Sequence, residues 1–154
     1  FVLNKWDTQD QDKKTAKKAE ENIRIMFGHM NYAPIVEISA KEGSGIKNLL
    51  NTAMEVYEQL TRKTDTSVLN TALRDWVTAY APPASRSANF KIRYIVQTDV
   101  NPISFLLFAT RPEVVPQSYI SYLRNKIRTD LGYDKIPILL ELKASRQKWE
   151  NRER

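Results

Sequence analysis

Three apolar residues, Phe1-Val2-Leu3, give way abruptly to the polar run Asn4-Lys5-Trp6-Asp7, so residues 1–3 read as the end of a buried strand. Downstream, "KKTAKKAEENIRIMFGHM" (13–30) has a helical period, with Ala16, Ala19, Ile23, Met26 and Phe27 on one face and Lys and Glu opposite. Pro34 stops the helix, and the short β-branched run "IVEIS" (35–39) predicts a strand. "KEGSG" supplies turn residues. Beyond it Ile46, Leu49, Leu50, Ala53, Val56, Tyr57 and Leu60 trace a second amphipathic helix. Strand, helix, strand, helix is the rhythm of a doubly wound parallel sheet.

"TRKTDTS" (61–67) has no apolar period and marks the expected boundary, with one domain over 1–63 and another over 64–154. The rhythm then changes. Val68, Leu69, Ala72, Leu73, Trp76, Val77 and Tyr80 form a helix face that ends at Pro82-Pro83, and "ASRSAN" (84–89) reads as a loop. "FKIRYIVQT" (90–98) alternates, with Phe90, Ile92, Tyr94 and Val96 on one face and Lys91 and Arg93 on the other. "ISFLLFA" (103–109) is a nearly continuous apolar strand. Ile120, Leu123, Ile127 and Leu131 repeat at helical spacing after Pro116, and "IPILLEL" (136–142) is a last strand before a charged tail. The order α-β-β-α-β describes a compact α+β domain with its helices on one sheet face. Trp76, Phe90, Phe105 and Phe108 sit on apolar periods and are expected in the core rather than stacked on a ligand.

Composition adds exclusions. The 154 residues are 42% hydrophobic and 27% charged, enough to bury a core. With no cysteine, neither disulfides nor thiolate metal sites can form, and lone His29 makes no metal site. No apolar run approaches the ~20 residues of a membrane span. Asp7, Asp10 and Asp12 follow the apolar start too closely for a signal peptide, so the cytoplasm is the expected compartment. The net charge of +6 is unevenly placed. Residues 1–66 balance, with 10 Lys+Arg against 10 Asp+Glu, whereas residues 67–154 carry 14 against 8. The second half is therefore the candidate for a polyanionic partner, with plain solubility as the competing explanation.

The chemistry lies near the start. Guanine presents two adjacent donors, its ring N1–H and exocyclic N2–H, and one carboxylate can accept both. Adenine lacks that pair and would leave a buried Asp unmatched. In Asn4-Lys5-Trp6-Asp7, Asp7 has the matching chemistry, Asn4 can brace the loop, and Lys5 can lay its methylenes along a purine face. Trp6, at the unconstrained position, is assigned packing. Asn-Lys-x-Asp alone is a weak signal, since Asn4 and Asp7 could simply cap a helix. A second element strengthens it. Ser39-Ala40-Lys41 follows a strand about thirty residues on, where backbone N–H groups can meet the guanine O6 and the Lys41 stem can flank the base. A phosphate-binding GxxxxGK[ST] loop, by contrast, cannot be built from Gly28, Gly43, Gly45 and Gly132. Nucleotide binding by this chain alone should be very weak, GTP hydrolysis should not occur, and the missing strands should leave apolar sheet face uncovered.

Together, "NKWD", "SAK" and "VQTDVNPISFLLFATRPEVVPQSYISYLRNKIR" resemble the bacterial double-GTPase family called Der or EngA, over essentially the whole chain. The resemblance implies the C-terminal part of an α/β P-loop GTPase fold, incomplete here, followed by an α+β KH-like domain. It implies a parent that hydrolyses GTP and acts in maturation of the large (50S) ribosomal subunit. Asn4, Lys5, Asp7, Ser39, Ala40 and Lys41 would bind guanine; GTP or GDP, with Mg²⁺ and K⁺ as candidate ions, would be completed by the absent part. Partners would be the large subunit, its rRNA and the other GTPase domains of the same protein. No catalytic residue falls in this chain.

RNA-binding KH domains clamp backbone with a GXXG loop, and no glycine pair here has that spacing. RNA contact would therefore be electrostatic, through Lys91, Arg93, Arg111, Arg124, Lys126 and Arg128, with Arg146 and Lys148 in the tail. Each of these is also compatible with an ordinary solvated surface. Trp149, in the same tail, could anchor a partner or nothing. The alternative is an interaction module that regulates the GTPase domains without touching RNA.

Overall fold

A computed structural model describes residues 1–9, 13–82, 90–100 and 102–145. The loop expected at 84–89 and the tail residues Arg146, Lys148 and Trp149 lie outside the described residues. The chain divides into two compact units, Phe1–Thr61 with Asp134–Pro137, and Arg62–Tyr133 with the chain from Ile138 onward.

The first unit contains β1 (Val2–Leu3), α1 (Lys13–Met26), β2 (Val36–Glu37) and α2 (Ile46–Thr61). The strands pair in parallel, Val2 with Val36 and Leu3 with Glu37. The Trp6 N–H donates to the Ile38 carbonyl at 3.0 Å and carries the pairing past the strand ends. The expected order is present, but both strands are shorter than the apolar runs that announced them. α1 stops at Met26, and Gly28–Met30 form a 3₁₀ turn instead of a continued helix. Arg24 holds that turn by donating to the Ala33 carbonyl at 2.7 Å.

Several expected core positions of this unit are open. Of the α1 face, Ile23 is buried, while Met26 is 67% exposed and Phe27 is exposed. On α2, Leu50 and Tyr57 are each 61% exposed, and Ala53 is exposed too. Helical period identifies the apolar side of a helix but not whether anything covers it. Two short strands are all the sheet that the described residues of this unit offer. The buried residue on α2 is instead Gln59, whose amide donates to Asp134 Oδ1 (2.7 Å) and accepts from the Lys135 N–H (2.9 Å). Lys135 also pairs with Glu55.

The second unit contains α3 (Thr66–Ala79), β3 (Ile92–Val100), β4 (Ile103–Ala109), α4 (Gln117–Asp130) and β5 (Ile138–Ala144), which is the expected α-β-β-α-β. The sheet order is β3-β4-β5, with β3 antiparallel and β5 parallel to β4. A parallel return needs a crossover, and α4 supplies it. Along β4, Ile103, Phe105, Leu107 and Ala109 are buried, while Ser104, Leu106 and Phe108 between them are only half-buried. One face is thus covered by Leu69, Leu73 and Trp76 of α3 and Tyr119, Leu123 and Ile127 of α4, all buried. Trp76 donates its indole N–H to Asp130 Oδ2 at 2.7 Å, satisfying the one polar atom of an otherwise apolar ring.

Trp76, Phe90 and Phe105 are core residues as expected, but Phe108 is not: it stacks on Tyr94 with ring centroids 4.3 Å apart. The expected face of β3 is also corrected. Ile95 is buried and Tyr94 is exposed, because the register with β4 shifts between Ile92 and Tyr94. An extra residue in a strand reverses the side chains that follow, here as far as a second shift between Gln97 and Asp99.

Candidate functional site

The turn after β1 places the first three candidate positions, Asn4, Lys5 and Asp7. Lys5 has φ 62°, and no other non-glycine described residue has a positive φ. Such a left-handed conformation is uncommon outside glycine, so its neighbours must hold it. Thr8 does so from both its N–H (3.1 Å) and its hydroxyl (2.8 Å), each donating to the Lys5 carbonyl. Asn4 Oδ1 accepts from the Lys5 N–H at 2.7 Å.

The second loop is set by glycine. Ser39 exchanges a bridge with Ser44, donating its N–H to the Ser44 carbonyl at 3.0 Å. Gly45 then turns with φ 76°, and a Cβ there would run into the Glu37 carbonyl and Ile38. Only glycine fits both demands.

Two hydrogen bonds join the loops across more than thirty residues of sequence. Asn4 Oδ1 accepts from the Ala40 N–H at 3.1 Å, and the Ser39 hydroxyl donates to Asp7 Oδ1 at 2.6 Å. Ser39, only 3% exposed, also accepts from the Glu42 N–H at 3.3 Å. Asp7 is half-buried and spends one oxygen on Ser39; a carboxylate offers about four lone-pair sites, so it retains capacity for two adjacent donors. Lys5, Ala40 and Lys41 are exposed around it, and neither lysine side chain forms an ion pair with a described residue. All six positions therefore cluster. Thr8, Ser44 and Gly45 complete the arrangement. Gly45 could have been suspected from "GSG", whereas the role of Thr8 had no signal in the sequence.

The cation candidates of the second unit are not equivalent. Arg111 pairs with Glu113 at 3.4 Å, and Lys126 with Asp130 at 3.3 Å. Arg128 donates to the Tyr133 carbonyl at 3.2 Å. Arg124 is half-buried, with its Nε enclosed and without a hydrogen-bond partner among the described residues. Lys91 and Arg93 remain exposed. They do not lie on one regular strand face, since Lys91 precedes β3 and Arg93 sits at the register shift.

Comparison with known proteins places the chain among relatives. The KH-domain-like C-terminal region of EngA bacterial GTPase enzymes matches residues 63–143. A GTPase Der of Treponema pallidum is 44% identical over 148 residues, covering 96% of this chain and 32% of the relative. A GTPase Der of Desulfitobacterium hafniense is 38% identical over 153 residues, covering 99% and 34%. One from Caldanaerobacter subterraneus is 34% identical over 143 residues, covering 93% and 33%. The chain spans about a third of the length of these curated relatives.

Proposed function

This chain belongs to the Der (EngA) family of bacterial GTPases, and from that premise we propose that its two bonded loops read the guanine base of GTP and GDP. The observation that carries this reading is the pair of contacts Asn4–Ala40 and Ser39–Asp7. They lock two distant loops around a carboxylate with unspent lone pairs. In the parent, the Asp7 carboxylate accepts from guanine N1–H and N2–H, an exposed backbone amide near Ala40 faces O6, and the Lys5 and Lys41 stems flank the ring. Phosphate, Mg²⁺ and K⁺ are handled by the remainder of the protein. Among the described residues no three His, Cys, Asp or Glu side chains converge on a metal position.

The larger role is assembly of the large ribosomal subunit in the cytoplasm, with GTP switching the docking of the KH-like domain on rRNA. A second reading has an observation in its favour. Three of the six candidate cations, Arg111, Lys126 and Arg128, already have protein partners. That suits a module that packs on the parent's GTPase domains and regulates them without RNA.

The base pocket is tested by titrating the chain with guanosine and with adenosine while following backbone amide NMR shifts. Guanosine should move Ala40 and its neighbours, adenosine should not, and Asp7→Asn should abolish the effect. Equal response to both nucleosides would end the base-reading assignment.

A further inference from the structure

The sheet of the second unit has one covered face and one open face, and the open face is not uniform. Paired residues in register share a face, so Tyr94, Phe108 and Lys143 form one row across all three strands. Tyr94 is 41% exposed and lies nearly parallel to Phe108, with an interplanar angle of 13°. Lys143 is exposed beside Phe108 and has no ion-pair partner among the described residues. Next to this row, the Lys91 carbonyl accepts from the Thr110 N–H and the Lys91 N–H donates to the Thr110 hydroxyl, and Arg93 sits in the register shift. Neither has an ion-pair partner among the described residues. The adjoining row, Val96–Leu106–Glu141, is aliphatic with one acid. One end of the open face therefore combines a stacked aromatic pair with three uncommitted cations.

We infer that this end of the open sheet face binds single-stranded RNA, with a splayed base stacked on Tyr94 and phosphates held by Lys91, Arg93 and Lys143. Base–aromatic stacking tolerates any base, because each has a π-face, and it requires a strand whose bases are not already paired. The cations match the backbone charge, and the positive excess of the chain lies wholly in residues 67–154. A protein partner would favour the aliphatic row, whereas the cations cluster at the aromatic one. The inference rests on the RNA docking proposed above and adds the class of RNA and the surface.

The test is fluorescence anisotropy of a short unstructured oligoribonucleotide and of a duplex of equal length, titrated with the 154-residue chain across a salt series. Tyr94→Leu should weaken single-strand binding about tenfold at unchanged salt slope, and Tyr94→Phe should restore it. Lys91→Glu/Arg93→Glu should weaken binding and flatten the slope. Tyr94 is exposed, so these variants keep the fold, and circular dichroism checks it. Parent-like binding by Tyr94→Leu, or equal affinity for duplex, overturns the stacking surface while leaving electrostatic docking intact. No oligonucleotide binding alongside co-sedimentation with large subunits overturns this inference alone; failure of both removes RNA docking as well. A dimer in sedimentation equilibrium that Tyr94→Leu dissolves would assign the face to a second copy of the chain and also overturn it.

Discussion

Asn4 shows how much one side-chain oxygen can decide. By accepting from both Lys5 and Ala40 it shapes its own turn and joins it to the partner loop. Asp130 does comparable work in the second unit. Its carboxylate accepts from the Thr129 hydroxyl (2.7 Å), the Trp76 indole (2.7 Å) and the Lys126 ammonium (3.3 Å). These contacts, that of Thr129 foremost, hold its pKa below the usual carboxylate value against an opposing effect of burial. A depressed folded-state pKa adds stability that is present above the unfolded pKa and lost as pH falls through the folded one. The thermal midpoint of the parent should therefore fall more steeply on acidification than that of Asp130→Asn. Parallel curves would deny Asp130 this role.

At the scale of elements, β3 is an edge strand, and an unpaired edge invites association with another chain. Asn70 of α3 closes part of it. Its amide donates to the Ile95 carbonyl at 2.9 Å, and its oxygen accepts from the Ile95 N–H at 3.0 Å. A side-chain amide here replaces a neighbouring strand and fastens α3 to the sheet. Asn70→Ala leaves both backbone groups without their partner and should destabilise the second unit by about 1–3 kcal/mol. Urea unfolding should show a lower midpoint with unchanged slope; an unchanged midpoint would mean that water replaces the amide at no cost. Sequence alternation alone would have placed Tyr94 inward with Phe90 and Ile92. The register shift at Arg93 moves it outward, which creates the stacked pair with Phe108.

For the whole molecule, charge and apolar exposure point to different partners. The first half is charge-balanced and exposes Ile25, Met26, Leu50, Met54 and Tyr57, which suits burial against further protein. The second half carries the entire positive excess. Co-sedimentation with purified large ribosomal subunits should therefore fade as salt rises and be lost in Lys91→Glu/Arg93→Glu. Salt-insensitive binding, or none at low salt, would favour the interaction module instead.

What the sequence determined by itself was local or periodic. The order of the main helices and strands among the described residues, the spacing of the two loops and the charge asymmetry were legible because each depends on neighbours along the chain. Tertiary structure alone decided what covers what. Gln59 is buried because Asp134 and Lys135, far along the chain, meet its amide. Leu50 is exposed because no described element lies over it, and Phe108 left the core because helices cover only one sheet face. Periodicity states which side of an element prefers to leave water, but burial requires a second surface, and only the folded chain supplies or withholds it.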